Sequence, residues 1–330
     1  MKLIKNTALI LTISLSSIWS ILAIYLGNSE TSVLQTSLAI LFSIFSLFTL
    51  ILIFTRWKKA AVINYFTSFI IIMTVWIILI QPSNNRFWQT DVAKLPYADI
   101  NGNLITVHNI RHFNYKSEFD YTPAYYDKTF DLTKLVGVDL FAVYWMGDAI
   151  AHTILSFNFD NTDYLAISIE ARKEQNEAYS TFKGFFRQYE LIYIVADERD
   201  VIGLRTNYRK DPKEDVYLYS LKPNQENGQQ LFLEYIKHVN QLHEHAQFYN
   251  TLIDNCTTSI WFNTLVNENH LPFSWKILLS GYVPEYLYES GRLNTNLPFN
   301  ELKQKALINP IAEKLDLSSE DFSKKIRTTK

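Results

Sequence analysis

The most prominent pattern in the chain is a series of long apolar runs in its N-terminal quarter. Three stretches, residues 6–29, 31–55 and 60–85, contain no charged side chain, and each exceeds the roughly 20 residues that a helix needs to cross the hydrocarbon core of a bilayer. A cleaved signal peptide accounts for one such stretch but not for three. The pattern predicts three transmembrane helices near residues 7–26, 34–55 and 60–80.

After residue 85 the pattern changes to short alternating segments that are typical of strands. Short strands are predicted over residues 103–107 and 109–115, an extended segment over 121–131, and strands over 138–145, 152–159, 164–170 and 190–196. A break at 146–151 and turn residues at 160–163 separate the central strands. Helices are predicted over 231–250 and from residue 256. These elements indicate an α+β domain with a mostly antiparallel sheet in residues 86–330, which a short exit linker, residues 81–85, joins to a membrane anchor in residues 1–85.

Composition excludes several classes of protein. Hydrophobic residues make up 48% of the chain, which argues against intrinsic disorder. The one cysteine cannot form an intrachain disulfide. With 31 basic and 33 acidic residues the net charge is −2, so no basic patch points to nucleic acid.

The few charges in the apolar quarter predict its orientation. Lys2 and Lys5 precede the first span, and Arg56, Lys58 and Lys59 lie between the second and the third, whereas the first loop has no basic residue. Because positive charge stays in the cytoplasm, we expect a cytoplasmic N-terminus and a domain on the outer side, the periplasm of a bacterial inner membrane. Two roles remain open for the helices, which either only anchor the domain or also shape a path for lipid.

The single cysteine, Cys256, has the setting of a residue in the first turn of a helix. Asp254 and Asn255 are good helix-capping residues, and apolar residues follow at helical spacing. The positive end of the helix dipole stabilises a negatively charged sulfur at that position. Position alone leaves two interpretations: a nucleophile, or a small buried core residue.

A histidine is predicted to lie opposite a carboxylate on a β-hairpin. If the turn is centred on Asn161, His152 on one strand faces Glu170 on the next, on the same side of the sheet. Glu170 would then orient the ring as the third member of a catalytic triad does; the alternative is a plain cross-strand ion pair. The spacing of the histidines at 238, 243 and 245 does not place them on one helix face, so no metal site is predicted.

Several sequence blocks resemble the Lnb N-terminal periplasmic domain family. The principal blocks are residues 152–157 and 255–258, and further matches lie at 144–145, 167–174, 186–190 and 204–207. The resemblance covers roughly residues 88–265. It implies a permuted papain-like fold of the NlpC/P60 type, in which the catalytic His precedes the catalytic Cys.

The resemblance also implies an activity. The resemblance suggests a membrane-bound acyltransferase. In such an enzyme the Cys256 thiolate would take an acyl chain from a phospholipid and pass it to the N-terminal amine of a diacylated lipoprotein. His152 would act as the base, and Glu170 would orient it. No cofactor is expected. Two further sets of residues were considered for the substrate: Arg172 and Lys173 for the phosphate, and Phe182, Phe185, Phe186 and Tyr189 for the acyl chain. Solvated charges and core packing are the competing interpretations of these sets.

Two other functions remain open at this point. The same Cys/His fold commonly cleaves peptidoglycan or peptides, which would make the chain a cysteine hydrolase; the three-helix anchor and the lack of a wall-binding repeat argue against this. A membrane-anchored binding protein with a structural Cys256 is the other alternative. A Cys256-dependent acyl adduct would separate the acyltransferase from both.

Overall fold

Three long apolar helices form the N-terminal part of the protein. The computed structural model describes residues 2–27, 32–317 and 321–328, and its first helices are α1 (Lys2–Tyr25), α2 (Val33–Leu52) and α3 (Lys58–Leu79). All three are long and apolar enough to cross a membrane. This confirms the three predicted spans, with ends that differ by a few residues. Residues 28–31 of the predicted first loop lie outside the described residues.

The three helices pack as a bundle around Tyr65 of α3, which is fully buried. Its hydroxyl lies 2.8 Å from the Ser16 and Ser17 hydroxyls and donates to the Ile13 carbonyl. Phe42 of α2 packs beside the same ring. Since a polar group in hydrocarbon is costly unless it is hydrogen-bonded, this cluster joins α1 to α3 within the span.

The globular part is built around one eight-stranded sheet, in which seven strands follow the spatial order β1-β2-β9-β8-β7-β6-β10 and β5 pairs with β2. Apart from a parallel contact between β2 and β9, the pairings of this sheet are antiparallel. The predicted α+β class is confirmed, although this contact makes the sheet a mixed one; the papain-like permutation stays a prediction. The strands are β1 (Tyr97–Asn101), β2 (Leu104–Arg111), β3 (Asn114–Tyr115), β4 (Tyr121–Thr122), β5 (Tyr125–Asp131), β6 (Leu135–Tyr144), β7 (His152–Phe159), β8 (Asp163–Arg172), β9 (Glu190–Asp197) and β10 (Asp215–Ser220), of which β3 and β4 form a separate ribbon.

Helices cover both faces of this sheet. They are α4 (Glu198–Gly203), which continues as a π-helical turn over Leu204–Tyr208, α5 (Gln225–Glu244), α6 (Cys256–Thr264), α7 (Trp275–Leu278), α8 (Val283–Glu289), α9 (Phe299–Ala306), α10 (Asn309–Ala312) and α11 (Phe322–Lys325). Short 3₁₀ turns lie at Thr90–Val92, Leu132–Lys134, Lys183–Phe185 and Ser280–Tyr282.

The alternation of side chains along β7 separates two hydrophobic cores. Leu155 and Phe157 point to the side where α5 and α6 pack, here called the α6 face. Ile154 points to the opposite side, the α4 face, where Val201 of α4 and Phe322 of α11 pack. Alternate residues of the central strands therefore contribute to two different environments.

The hairpin between β7 and β8 has the predicted register. Ile154 pairs with Ser168 and Phe159 with Asp163. Asp160 and Asn161 adopt left-handed conformations, with φ of 54° and 56°, which asparagine and aspartate tolerate in tight turns. This register places His152 and Glu170 across from one another at the open end of the hairpin.

The predicted strands over residues 103–107 and 109–115 are wrong as two separate elements. One strand, β2, covers Leu104–Arg111 and so joins the first segment to the start of the second, with an irregularity between Val107 and Ile110, while Asn114–Tyr115 form the separate strand β3. Asn109 has a φ of 62° there, and its backbone N–H donates to Asp127 instead of continuing the ladder. A polar residue that tolerates this conformation looks like a strand end in the sequence, although the strand continues.

The helix predicted over residues 231–250 is also corrected. It starts six residues earlier, at Gln225, because the Asn224 side chain caps it by accepting from the Asn227 N–H. It ends at Glu244, and His245 is extended. The polar first turn hid this start from hydrophobic periodicity.

The C-terminal segment is attached to the α4 face through Arg327. Its guanidinium lies 2.8 Å from Asp139 and 2.6 Å from Glu198, both buried. The Ser156 hydroxyl of β7 donates to the same Glu198 at 2.5 Å. Charge pairing between the last residues and the central strands thus closes this side of the sheet.

Candidate functional site

A chain of hydrogen bonds starts at His152, the first residue of β7. Its Nε2 lies 2.8 Å from the Ser168 hydroxyl, and that hydroxyl donates to Glu170 Oε1 at 2.7 Å. The direct distance from His152 Nε2 to Glu170 Oε1 is 3.7 Å. The structure therefore brings His152 and Glu170 to one face, as the hairpin register predicts, but places the Ser168 hydroxyl between them.

Arg205 completes this chain from the π-helical turn that follows α4. Its Nη2 donates to Glu170 Oε1 at 2.9 Å, and its Nη1 lies 3.5 Å from Glu214. Burial on its own would raise the pKa of Glu170. The positive charge of Arg205, helped by that of Arg209, outweighs burial and holds the pKa of Glu170 far below its usual range. Glu170 is therefore a fixed negative charge.

His152 is neutral in this setting. Burial lowers the pKa of its imidazole to about 3, and the nearby Arg205 charge acts in the same direction, against the opposing effect of Glu170. With Nε2–H donating to Ser168, the lone pair is on Nδ1, which makes no hydrogen bond within residues 32–317 or the other described ranges. A neutral ring with one anchored nitrogen and one unused nitrogen has the form of a proton acceptor.

Cys256 is the first residue of α6, as the sequence predicts. The side chain of Asn255 accepts from the N–H groups of Thr257 and Thr258, and the Thr258 hydroxyl accepts from the Asn255 N–H at 3.1 Å. The described hydrogen bonds leave the Cys256 N–H unused. Cys256 is partly exposed, and its sulfur lies 3.6 Å from the Thr257 hydroxyl. This end of the helix can therefore stabilise negative charge at the sulfur or on an oxygen beside it.

The structure does not bring Cys256 into hydrogen-bond contact with His152. Helix α6 packs on β7 through a 3.0 Å contact between the Thr257 and Thr153 hydroxyls. Thr153 points to the α6 face, and the alternation of the strand directs His152 to the α4 face. The segments that carry Cys256 and His152 are thus neighbours, with the imidazole turned away from the sulfur.

Tyr249 links the surroundings of the two groups electrostatically. Burial raises the pKa of its hydroxyl well above the usual range, and smaller contributions come from Cys256 and from Glu170. Its hydroxyl lies 3.3 Å from that of Tyr179. Cys256 and Glu170 are therefore both within electrostatic range of one buried hydroxyl at this end of the sheet.

The phosphate-binding role considered for Arg172 is corrected. This side chain is 2% exposed, and its guanidinium donates to the carbonyls of Val92 and Ala93 and to the side chain of Asn84. Its donors serve to attach the segment after the membrane anchor to β8. Lys173 is partly exposed, and its role toward phosphate stays a prediction.

The four aromatic residues considered for an acyl chain divide into two pairs. Phe182 is 73% exposed and Phe185 is 38% exposed. Phe186 is buried and lies beside Trp19 of α1, and Tyr189 is fully buried, with its hydroxyl bonded to the Ser180 N–H and the Ala178 carbonyl. Core packing accounts for Phe186 and Tyr189, whereas Phe182 and Phe185 form an open apolar surface.

This apolar surface connects the membrane helices to Cys256. Arg187 donates to the carbonyls of Ile77 and Ile80 at the end of α3. In the same loop, Gly184 lies so close to Thr251 that a Cβ on Gly184 would clash with the Thr251 hydroxyl. The Thr251 carbonyl in turn accepts from the side chain of Asn255. Cys256 therefore lies at the end of the domain that faces the three apolar helices.

Exposed apolar residues lie on the two loops that meet at the contact between Gly184 and Thr251. They are Phe182, Phe185, Leu252 and Ile253, here called the apolar rim, and all four are at least 38% exposed. Within the described residues, no group of three His, Cys, Asp or Glu side chains is placed to hold a metal ion.

A comparison with protein-family models identifies the region that carries these residues. Residues 121–281 match the Lnb N-terminal periplasmic domain family. This match confirms the family resemblance found in the sequence blocks, although it begins later, at residue 121, and ends later, at residue 281, than the predicted 88–265. No curated protein and no solved structure matches the chain.

The region that matches the family model contains two site residues that the sequence did not reveal. Ser168 and Arg205 lie within blocks that resemble the family, but they carried no predicted role. For Ser168 a signal was available, since it precedes Glu170 by two positions and therefore shares its face. For Arg205 none was available, because its contact with Glu170 depends on how α4 packs on the sheet.

Proposed function

We propose that this protein is a membrane-bound acyltransferase that transfers an acyl chain from a phospholipid to the N-terminal amine of a diacylated lipoprotein. The family match supports a role in lipoprotein processing. The observation that carries the proposal is the position of Cys256, at the capped start of α6 and next to the apolar rim that continues to the membrane helices. A nucleophile at that position meets ester bonds at the bilayer surface.

In the first half-reaction, the Cys256 thiolate attacks the carbonyl carbon of a phospholipid ester. A thioester forms, and the departing alkoxide takes a proton to become a lysophospholipid. The unused Cys256 N–H is the donor available to the oxyanion. In the second half-reaction, the acceptor amine attacks the thioester, loses a proton and forms an amide, which releases the thiolate.

His152 is proposed as the group that moves these protons, with Nδ1 as the reacting nitrogen. Because the ring is turned toward Ser168 in this structure, the mechanism includes a rotation of the ring toward Cys256 when the substrate binds. Such a movement would reduce the burial that now lowers its pKa to about 3, which strengthens the ring as a base. Ser168, Glu170 and Arg205 are positioning residues in this scheme, because the hydrogen bond to Nε2 fixes the ring, before it rotates, in the tautomer that keeps the lone pair on Nδ1.

The decisive experiment is intact mass spectrometry of the full chain after incubation with phospholipid vesicles. We expect a mass increase of one acyl group that hydroxylamine removes, as it does for thioesters, and that Cys256→Ala abolishes. His152→Ala should slow formation of the adduct about 10²-fold or more, whereas His108→Ala, a strand histidine far along the sheet, serves as the matched control.

Two outcomes would overturn this function. Acyl transfer near the wild-type rate in Cys256→Ala would exclude a covalent role for the thiol. Cleavage of peptidoglycan fragments without any acyl adduct would favour the cysteine hydrolase instead.

The proposed location also has its own test. We propose that the helices lie in a bacterial inner membrane with the N-terminus in the cytoplasm and the domain in the periplasm, where lipoprotein amines are displayed. A reporter fused after Lys330 should be active only in the periplasm, and one inserted at Lys58 only in the cytoplasm. The reverse pattern would contradict both the location and the proposed reaction.

A further inference from the structure

An apolar cavity of about 320 Å³ lies on the α6 face of the sheet. Its walls come from β6, β7, α5, α6 and α8, and aliphatic or aromatic side chains dominate them, including Leu140, Leu155, Ile260, Trp261 and Leu287. The volume is at the lower end of the range that small-molecule pockets occupy. Because protein interiors are normally close-packed, an apolar space of this size indicates a site for an apolar ligand.

One boundary of the cavity lies beside the candidate nucleophile. Thr153 and Thr257 both line it, and their hydroxyls contact one another at 3.0 Å. Thr257 directly follows Cys256 in the chain. The cavity therefore extends from the start of α6 into the interior of the domain.

Two cations lie together at another part of the lining. The bridge between Leu221 and Leu293 brings Lys222 next to Arg292, and the Lys222 N–H donates to the Arg292 carbonyl at 2.7 Å. Both residues line the cavity, no described Asp or Glu does, and the Arg292 guanidinium also donates to the Asn269 carbonyl. In the described part of the chain neither cation has a carboxylate within salt-bridge distance. This region therefore suits an anionic group.

A buried acceptor without a donor lines the same cavity. Asn267 is 7% exposed, and its Oδ1 has no hydrogen-bond partner among the described residues. Its Nδ2 is directed to the Asn227 carbonyl, near the start of α5. Buried polar atoms in folded proteins are nearly always paired, so this oxygen indicates a ligand that brings a hydroxyl or N–H donor.

We propose that this cavity binds a lysophospholipid, with its single acyl chain among the apolar side chains, its free glycerol hydroxyl at Asn267 and its phosphate at Lys222 and Arg292. A fatty acid shares the chain and the negative charge but lacks the hydroxyl. The inference concerns binding and does not depend on the proposed transfer reaction, although that reaction would release a lysophospholipid.

Photolabelling of the full chain in nanodiscs tests this site. A lysophospholipid with a diazirine near the end of its acyl chain is irradiated with the protein, and labelled peptides are mapped by mass spectrometry. We expect labels in β7, α6 and α8, in the wild type and equally in Cys256→Ala. An intact site in a variant that cannot transfer separates this inference from the proposed function.

Competition and matched variants sharpen the assignment. Unlabelled lysophospholipid should compete at least tenfold better than a fatty acid of equal chain length, and the Asn267→Leu variant should narrow that difference. Replacing Lys222 and Arg292 together by Glu should reduce labelling at least tenfold, whereas Lys237→Glu, an exposed change on α5, should leave it unaltered. Leu287→Trp should remove the labels by filling the cavity.

Three results would overturn the proposal. Labels confined to α1, α2 and α3 would show that the probe resides only in the bilayer. Equal competition by a fatty acid would remove the role of the hydroxyl. Undiminished labelling in both Leu287→Trp and the double Glu variant, each with a wild-type unfolding temperature, would exclude this cavity as the site.

Discussion

The two faces of the central sheet differ in the kind of groups that they bury. On the α6 face the side chains of β6 and β7 meet α5, α6 and α8 around an apolar cavity. On the α4 face, alternate residues of the same strands meet buried ion pairs, with Asp200 bound to Arg111, Glu170 to Arg205, and Glu198 to Arg327. The strands are shared, so the difference arises from the alternate side chains that each strand presents and from what packs against them.

This contrast suggests different roles for the two faces. A buried ion pair adds little net stability compared with an apolar pair, because desolvation offsets the attraction, but it is costly to break. Such pairs specify one arrangement, which suits a face that must hold His152 and its partners in place. An apolar face with unfilled volume suits the accommodation of a hydrocarbon chain.

The largest effect is expected from removing a cation on the α4 face. Arg327→Met leaves Asp139 and Glu198 buried without their main partner, so the free energy of unfolding should fall by about 3–5 kcal/mol. Urea unfolding of the detergent-solubilised full chain measures this. Lys324→Met, an exposed change in the preceding helix α11, should cost less than about 0.5 kcal/mol. Equal losses in the two variants would contradict a specific role for the ion pairs.

The faces should also differ in their tolerance of added volume. Ile154→Trp enlarges a fully buried residue on the α4 face and should destabilise the fold by about 1–3 kcal/mol or more. Leu287→Trp adds a comparable side chain into the cavity on the α6 face and should change stability much less. The same urea measurement compares them, and a similar loss for both would mean that the cavity cannot accept volume.

A smaller effect is expected when the support of His152 is weakened. Glu170→Gln removes the charge that fixes Ser168 and Arg205, and outer-shell changes of this kind typically cost about 10–100-fold in activity. The rate of acyl-adduct formation should fall while KM for phospholipid stays nearly constant. Ser168→Ala should produce a similar loss through the same ring. If both variants react normally, His152 does not depend on this chain of hydrogen bonds.

The smallest effect concerns pH. The pKa of His152 is lowered to about 3 from an ordinary value of 6.5, so between those pH values the unfolded chain binds a proton that the folded chain does not. Stability therefore decreases as the pH falls through this window and is restored as it rises. His152→Gln should flatten this part of the curve, which urea unfolding at a series of pH values would show.

His108 provides a control of opposite sign. Its hydrogen bond to Asp127 is the main cause that raises its pKa above 6.5, against a smaller effect of burial. Its contribution is complete below pH 6.5 and is lost as the pH rises through the raised pKa. His108→Gln should remove that loss of stability and leave the stability curve below pH 6.5 unchanged. An acid side flattened equally by both variants would contradict the assignment to His152.

Local chemistry allowed several parts of this molecule to be predicted before any coordinates. Uncharged runs longer than 20 residues indicate spans because a helix of that length crosses the hydrocarbon core and pairs its backbone groups within the segment. The turn at Asn161 and the alternation of β7 and β8 were sufficient for the register between His152 and Glu170. The start of α6 at Cys256 follows from the capping chemistry of Asn255.

Tertiary contacts decided the remainder. Three features depend on which helix or loop covers which strand: the hydrogen bonds through Ser168, the charge of Arg205 beside Glu170, and the burial of Arg172. Neighbours that are distant in sequence leave no local pattern from which these contacts could be predicted. Local sequence patterns were enough for the three long apolar helices, the class of fold, the family resemblance and the residues that are chemically able to act. The placement of His152 on one face of the sheet and α6 on the other required the folded chain, because period-two alternation assigns residues to opposite sides, whereas packing determines what each side contains.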